Sequence, residues 1–189
     1  NSFMFIIKNN YYLYIENTKS INLDLIRNNI KISIIYRNNT ILESYEKLNI
    51  FRKKCRIKKF KFYIANNFKL AKYLKADGLY LSSYNKQIYS KYGYNLIGSA
   101  HTYRELYEKK KQGCNTIILS RLFKTNYENK KSYLGIIKFN LIQKSSLMNL
   151  IPLGGINSKN LLKLNLVKSK GLCLMSELKK KPAISNRLF

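Results

Sequence analysis

Eight short apolar runs recur along this chain, and their regular spacing restricts its fold more than any other feature. The runs are Tyr11–Ile15, Ile32–Tyr36, Phe62–Ile64, Gly78–Leu81, Leu96–Ala100, Thr116–Leu119, Leu150–Ile156 and Gly171–Met175. Between them, apolar residues recur every three or four positions, as in helices that bury one side, over Thr40–Lys58, Phe68–Lys75, Tyr103–Lys111 and Asn160–Leu166. Repeated strand–helix units predict a parallel sheet with right-handed crossovers, and eight units predict closure. The sequence thus predicts an α/β fold of the (β/α)8 TIM-barrel type, with an open doubly wound sheet as the alternative.

The length of the chain suits one such domain. It has 189 residues, no Pro-, Gly- or Ser-rich linker divides it, and both prolines, Pro152 and Pro182, lie late. We therefore expect a single domain over residues 1–189 with its core at about residues 10–178. Barrels of this type usually have about 250 residues, so some element must be reduced. The few residues after the eighth run predict a shortened last helix.

Positive charge dominates the composition. Thirty-six lysines and arginines against nine acidic residues give a formal net charge of +27. Such an excess favours phosphate-bearing partners, nucleic acid among them, but the basic residues recur along nearly every segment instead of forming one block. We therefore predict a small phosphorylated ligand and no specific nucleic acid, and keep nucleic-acid binding as an alternative.

Cysteine and histidine usage limits the chemistry further. Three separated cysteines (Cys55, Cys114 and Cys173) and one histidine match neither a disulfide framework nor a zinc site, so we interpret the thiols as core residues of a protein from a reducing compartment. No apolar run approaches the roughly 18 residues of a membrane span. The apolar opening residues lack the basic region and cleavage site of a secretory signal. These features predict a cytoplasmic protein without membrane attachment, and leave a homo-oligomer open.

Two glycines near the end of the seventh run predict an anion site. Because they lack Cβ atoms, Gly154 and Gly155 let backbone N–H groups approach an anion closely. Barrels of this type commonly bind phosphate between their last two βα loops. Ser176, after the eighth run, would add a hydroxyl and a backbone donor there. The alternative is a tight turn that serves packing alone.

Three segments, in the same order and at the same intervals, resemble the thiamine phosphate synthase/TenI superfamily. They are residues 69–81, with Ala-Asp-Gly before a strand, residues 96–102, followed by Glu105 and Gly113, and residues 151–157, with Gly-Gly-Ile followed by Asn160. The similarity extends over roughly residues 10 to 178. It implies a barrel enzyme of thiamine biosynthesis that binds a thiazole phosphate, with Arg37, Ser99, Thr125, Gly154, Gly155 and Ser176 as the substrate- and phosphate-binding residues.

The positions that would hold a metal depart from this family. The resemblance implies Mg²⁺ bound by two aspartates, one after the third strand and one after the fourth, where this chain has Asn66 and Asn85. Asparagine offers only a neutral carbonyl, whereas Mg²⁺ favours carboxylates. The family's diphosphate motif in the sixth-strand loop keeps only Thr125, and Arg121 stands at the usual proline position. We therefore predict no metal ligands and no cofactor, with Mg²⁺ needed only if the synthase alternative holds.

His101 is the one histidine and follows the fifth run, at the face where barrels place their chemistry. An imidazole exchanges protons near neutral pH, and the resemblance to TenI-type thiazole tautomerases implies a catalytic role at this position. The alternative is a structural histidine bonded to a neighbouring loop. We therefore predict a Mg²⁺-independent, thiazole-phosphate-binding barrel with tautomerase chemistry. The alternatives are a thiamine phosphate synthase and a non-catalytic module that binds a phosphate ligand or nucleic acid.

Overall fold

Eight parallel strands form a nearly closed barrel within residues 8–26, 30–38, 43–125 and 132–175, which the computed structural model describes. The hydrogen-bonded order is β7-β6-β5-β4-β3-β2-β1-β8. The strands are β1 (Asn10–Ile15), β2 (Lys31–Tyr36), β3 (Lys61–Ala65), β4 (Gly78–Leu81), β5 (Asn95–Ala100), β6 (Thr116–Ser120), β7 (Asn149–Leu153) and β8 (Gly171–Met175). At the seam between β7 and β8, Ser169 Oγ donates to the Leu150 carbonyl at 2.7 Å. The predicted (β/α)8 barrel is confirmed.

Alternation along the strands separates two apolar layers. In β1, Tyr12 and Tyr14 belong to the cluster inside the barrel, whereas Leu13 and Ile15 belong to the larger cluster between the strands and their surrounding elements. Successive residues of a strand point to opposite faces, which produces this division. The inner cluster comprises Tyr12, Tyr14, Ile35, Tyr63, Tyr80, Ile97, Ile118, Ile151 and Cys173. The interior is therefore filled by side chains, as expected for an eight-stranded barrel.

The described α-helices are α1 (Tyr45–Ile57), α2 (Phe68–Tyr73), α3 (Tyr103–Lys111) and α4 (Gly135–Ser145). Helix α3 has the bounds that the apolar spacing predicts, because Thr102 and Glu105 form a capping box at its start. The first predicted helix begins later than expected: Ser44 is the N-cap of α1, and residues 40–42 lie outside the described residues. Helix α4 was not predicted, because its apolar residues do not keep to one side.

Two further expectations were wrong in detail. The helix predicted over residues 160–166 is instead a pair of 3₁₀ helices, Ser158–Asn160 and Leu162–Leu166. The buried residues there are Leu161, Leu164 and Val167, and their spacing of three fits the three residues per turn of a 3₁₀ helix. The seventh strand stops at Leu153, short of Ile156, because the glycines that follow adopt positive φ.

In the described part of the segment between β1 and β2, the helical turns are the 3₁₀ helices Thr18–Ser20 and Leu23–Leu25. The remaining described 3₁₀ helix is Ser90–Tyr92. None of the described helices is long and apolar enough to cross a membrane.

The Ala-Asp-Gly segment supports the face of the barrel where the strands begin. Asp77 accepts from the Phe62 backbone N–H at 2.7 Å and from Arg52 Nη1 at 2.9 Å. Arg52 also donates to the Lys75 carbonyl. Asp77 therefore joins α1 to β3, and it lies away from the strand ends at which we expect chemistry.

Candidate active site

A cavity of about 70 Å³ lies at the carboxyl ends of the strands. Its lining residues are Tyr14, Arg37, Tyr80, Ser82, Ser83, Tyr84, Ser99, His101, Ile118, Ser120 and Leu153. Three of the predicted site residues, Arg37, Ser99 and His101, thus line one space although they come from different βα units. Parallel strands bring their carboxyl ends to the same edge of a barrel, which explains this convergence.

His101 is held at the lip of the cavity by two contacts. Its backbone N–H donates to Glu105 Oε2 at 2.5 Å, as part of the bonding at the start of α3. Its ring Nδ1 lies 2.7 Å from Ser120 Oγ, at the end of β6. His101 itself is exposed, whereas Ser120 is buried. The ring is therefore anchored through Nδ1, and Nε2 is the nitrogen left for a ligand.

A cluster of hydroxyls lines the inner part of the cavity. Tyr14 donates to the Tyr80 hydroxyl at 2.7 Å, and Tyr80 is also hydrogen-bonded to Ser99. Burial raises the pKa of Tyr14 well above its ordinary value, and the adjacent Tyr80 adds to this shift. Burial also raises the pKa of Tyr80, against the opposing effect of its hydrogen bonds. Both phenols therefore remain protonated at neutral pH, so they can orient a ligand but cannot act as bases.

Arg37 brings an unfilled donor to the same cavity. It directly follows β2, and its backbone N–H donates to the Ile15 carbonyl at 2.8 Å, which extends the ladder between β1 and β2. Its Nε is buried and has no hydrogen-bond partner among the described residues. A buried donor without a partner is costly. An anionic or carbonyl oxygen in the cavity would satisfy it.

The loops after β6 and β7 pack closely against each other. Gly154 and Gly155 have φ of 98° and 69°. A Cβ on Gly155 would lie 2.4 Å from the Phe123 carbonyl oxygen, so no other residue fits there without displacing the β6 loop. Phe123 N–H donates to the Gly154 carbonyl at 3.1 Å, and Asn160 Nδ2 donates to the Gly155 carbonyl at 2.7 Å.

The packing interpretation of the two glycines therefore has direct support. Their convergence with Ser176 on an anion stays a prediction, because Ser176 lies outside the described residues. Thr125 is close to the same loops, since its hydroxyl accepts from Arg121 Nη1 at 3.1 Å, and Arg121 packs against Gly154.

Asn66 and Asn85, the residues at the predicted metal positions, lie in contact. Asn85 Nδ2 donates to Asn66 Oδ1 at 3.0 Å, and the Ser82 N–H donates to the same oxygen at 3.0 Å. Asn66 Nδ2 donates to Ser82 Oγ at 2.7 Å and to the Tyr84 hydroxyl at 3.1 Å. We call these four residues, Asn66, Ser82, Tyr84 and Asn85, the amide network. It uses both hydrogens and both lone pairs of the Asn66 side chain.

A buried lysine supports the amide network from behind. Lys109, on α3, is fully buried, and its Nζ donates to the Asn85 carbonyl at 2.7 Å and to Gln112 Oε1 at 2.8 Å. Gln112 donates to the same Asn85 carbonyl at 3.0 Å. Burial lowers the pKa of Lys109. The β4 loop is thereby tied to α3, the helix that also carries the His101 backbone contact.

These residues do not fit the Mg²⁺ that the family resemblance implies. A hard dication requires several oxygen ligands, carboxylates above all. Here the Asn66 oxygen already accepts two hydrogen bonds, and its amide nitrogen presents hydrogens to the rest of the amide network. Among the described residues, no group of three His, Cys, Asp or Glu side chains could hold a metal.

The three thiols are buried and free, in agreement with their interpretation as core residues. Burial raises the pKa of Cys55 to about 12 and that of Cys114 to about 11. Cys173, inside the barrel, has its pKa raised well above the ordinary value for the same reason. A thiol must be deprotonated to act as a nucleophile, so none of them suits that role near neutral pH.

Sequence reasoning missed two residues of this region. Ser120 was left out because the sixth run was ended at Leu119, although alternation from the inward Ile118 places Ser120 on the inner face. Lys109 was missed because lysine is rarely buried. Its position three residues after the buried Leu106 could have revealed it, because that spacing places both on one side of α3.

Comparison with known proteins identifies the family. A family model described as thiamine monophosphate synthase matches residues 4–178. The chain belongs to the thiamine monophosphate synthase family, a family of thiamine biosynthesis. No curated protein sequence matches.

Solved structures share the fold at low sequence identity. Thiamine phosphate pyrophosphorylase from Pyrococcus furiosus is 19% identical with a TM-score of 0.71, over 95% of this chain and 91% of that one. The Bacteroides thetaiotaomicron thiamine phosphate pyrophosphorylase is 19% identical with a TM-score of 0.63, over 90% and 84%. The 2-keto-3-deoxy-6-phospho-gluconate aldolase from Zymomonas mobilis is 13% identical with a TM-score of 0.60, over 96% and 92%. This likeness concerns the barrel and not its chemistry.

Proposed function

We propose that this member of the thiamine monophosphate synthase family binds a thiazole phosphate and transfers a proton on its ring without a metal, with His101 as the catalytic residue. The observation that carries the proposal is the contrast between the two predicted centres. His101 has one ring nitrogen anchored on Ser120 and the other left for a ligand, while the residues at the metal positions bond one another. Proton transfer asks for one poised acid or base. Diphosphate departure normally depends on a metal to offset the charge that develops.

The cavity would take one end of such a ligand. Its volume of about 70 Å³ is small beside the 300–1,000 Å³ or so of usual ligand sites. We place the thiazole ring there, next to His101, with the unpartnered Arg37 Nε bonding a polar group of the ligand. The phosphate would then extend over the β7 loop toward Gly154 and Gly155, where the lack of Cβ atoms lets backbone N–H groups approach an anion.

The test measures thiazole phosphate tautomerisation by the purified chain with EDTA present. We expect turnover in wild type and a loss of about 10²- to 10⁴-fold in His101→Ala. Tyr103→Phe is the control, because Tyr103 is an exposed neighbour outside the cavity, and it should retain the wild-type rate. Tautomerisation that His101→Ala leaves unchanged would remove the proposed catalytic role.

A thiamine phosphate synthase is the second candidate, favoured by the family's description and by the names of two structural neighbours. The same preparation is therefore supplied with pyrimidine diphosphate, thiazole phosphate and Mg²⁺. We expect little or no thiamine phosphate. Mg²⁺-dependent turnover faster than the metal-free tautomerisation would favour the synthase and contradict our proposal.

A further inference from the structure

We infer that Ser120 is a positioning residue that selects the tautomer of His101: its Oγ accepts a hydrogen bond from Nδ1–H and leaves Nε2 unprotonated and available to a ligand. The contact between Ser120 and His101 rests on geometry, whereas the direction of its hydrogen bond and its catalytic meaning rest on the proposed function. The Oγ–Nδ1 distance is 2.7 Å, within the usual range of a hydrogen bond.

The backbone on either side of Ser120 makes it a firm anchor. Ser120 pairs with Leu153 at the end of the β6–β7 ladder, and Leu122 N–H donates to the Leu153 carbonyl at 2.9 Å just beyond it. Ser120 is 9% exposed, so little solvent competes for its hydroxyl. His101 is attached separately to α3 through Glu105. The backbone of His101 is thus held by α3 and its ring by the end of β6, and the ring contact restricts the rotation of the ring.

The tautomer follows from the role that Nε2 must play. For Nε2 to take a proton from a bound ring, it needs a free lone pair, and a neutral imidazole then carries its proton on Nδ1. A hydroxyl oxygen 2.7 Å from Nδ1 accepts that proton's hydrogen bond and continues to do so in the imidazolium. Nε2 then returns the proton to another ring atom of the ligand. Protons balance over the cycle, and Ser120 loses or gains none.

The other polar groups near Ser120 have hydrogen-bond partners other than the His101 ring. Glu105, the nearby carboxylate, accepts from the backbone N–H of His101 and of Thr102, so it is engaged with the main chain. The Tyr80 hydroxyl bonds Tyr14 and Ser99. Among the described residues, Ser120 Oγ is the group bonded to the His101 ring.

The test uses the fact that the chain has one histidine. Long-range ¹H–¹⁵N spectra of histidine-labelled protein report the two ring nitrogens of His101 without overlap from any other residue. In the neutral imidazole, we expect Nδ1 to be protonated and Nε2 unprotonated. Ser120→Ala should move the signals toward the Nε2–H form, and Ser120→Thr, which keeps a hydroxyl, should restore the wild-type pattern.

Ser83→Ala is the control for the spectra, because it removes a cavity hydroxyl that makes no bond to His101 in the structure. It should leave the ring signals unchanged. Wild-type spectra dominated by Nε2–H, or spectra that Ser120→Ala does not alter, would overturn the inference.

Kinetics then separate positioning from mere structural support. In the tautomerisation assay, Ser120→Ala should lower kcat about 10- to 100-fold with little change in KM, and Ser120→Thr should recover most of it. His101→Ala and the double variant should be equally slow, because Ser120 acts through His101. Should the chain have no tautomerase activity, the proposed function fails while the spectra still decide whether Ser120 sets the tautomer.

Discussion

The two sides of the barrel mouth differ in what they leave for a ligand. On the β3–β4 side, the amide network fills both hydrogens and both lone pairs of Asn66. On the side of β2, β5 and β6, Arg37 Nε has no partner among the described residues, and His101 has one ring nitrogen anchored and one left over. Buried polar groups are nearly always bonded. We therefore expect a ligand to bind on the side of β2, β5 and β6, where donors lack a partner. On the β3–β4 side, the amide network has its partners already and stabilises the fold.

The largest predicted effect on stability comes from placing carboxylates in the amide network on the β3–β4 side. The double variant Asn66→Asp with Asn85→Asp loses the Asn85–Asn66 bond and both donations from Asn66 Nδ2, and it brings two like charges together. We expect the free energy of unfolding in urea to fall by about 3 kcal/mol without divalent cations, roughly 1 kcal/mol for each of the three lost hydrogen bonds. Millimolar Mg²⁺ should recover part of this loss, because it binds only the folded variant.

The matched control for this variant is Asn67→Asp. Asn67 is the N-cap of α2, where its side chain accepts from the Leu70 N–H, and aspartate caps a helix as well as asparagine does. Its stability should stay near wild type and should not respond to Mg²⁺. Strong stabilisation of the wild type by Mg²⁺ would show that the amide network opens to take a metal, and the contrast between the two sides would fail.

The next predicted effect on stability concerns the loops after β6 and β7, at the other side of the barrel mouth. Gly155 and Gly93 share a φ of 69°, but a Cβ on Gly93 would meet nothing within 4 Å, whereas one on Gly155 would meet the Phe123 carbonyl oxygen. Gly93→Ala should therefore cost about 1 kcal/mol of unfolding free energy from backbone strain alone. Gly155→Ala should cost about 2–3 kcal/mol, because the β6 loop must also move.

The affinity for a phosphate ligand provides a second comparison of the two glycine variants. Gly155→Ala should weaken phosphate-ligand binding in a thermal-shift titration, since it displaces the loop that we place beside the phosphate. Gly93→Ala should bind as wild type does. Equal losses of stability in the two variants would mean that the β6 and β7 loops do not pack as tightly as the structure has them.

The two sides also differ in how far the sequence predicted them. That Asn66 and Asn85 would share one site was implied by the family resemblance, and the lack of carboxylates was visible in the residues themselves. The closure of the amide network was not predictable, because it depends on a positive φ at Asn66 and on the direction of Tyr84 in a loop. Such loop conformations lack the periodic apolar pattern from which helices and strands are predicted.

Element prediction failed for related reasons. The bounds of α3 were predicted because a capping box and a clear apolar spacing agree there. Helix α4 has apolar side chains on several sides, so no single side stands out. Ser120 shows the same limit in a strand: the inward direction could be predicted from alternation, but its contact with His101 joins residues from two βα units and appears only in the fold.

The last predicted effect, which is absent at neutral pH, concerns the buried acids behind both sides of the barrel mouth, and its sign follows from their pKa shifts. Burial raises the pKa of Cys114 from 9.0 to about 11. Its contribution to stability is therefore complete below pH 9, where the thiol is neutral in both states. Between about pH 9 and 11 the unfolded chain ionises while the folded chain does not, so stability falls by up to about 1.4 kcal/mol per pH unit for this one group.

The buried phenols Tyr14 and Tyr80 have raised pKa values and act in the same direction at higher pH, whereas Lys109, with its lowered pKa, acts in the opposite direction. The raised acids outnumber it, so unfolding free energy from urea titrations should decline steadily above pH 9. In Cys114→Ala the unfolding free energy should decline less steeply between pH 9 and 11, because the contribution of this thiol to the slope is missing. This expectation does not depend on the variant's stability at pH 7. An unchanged alkaline slope in Cys114→Ala would mean that the thiol is not shielded as the fold requires, and that the region behind Lys109 opens to water.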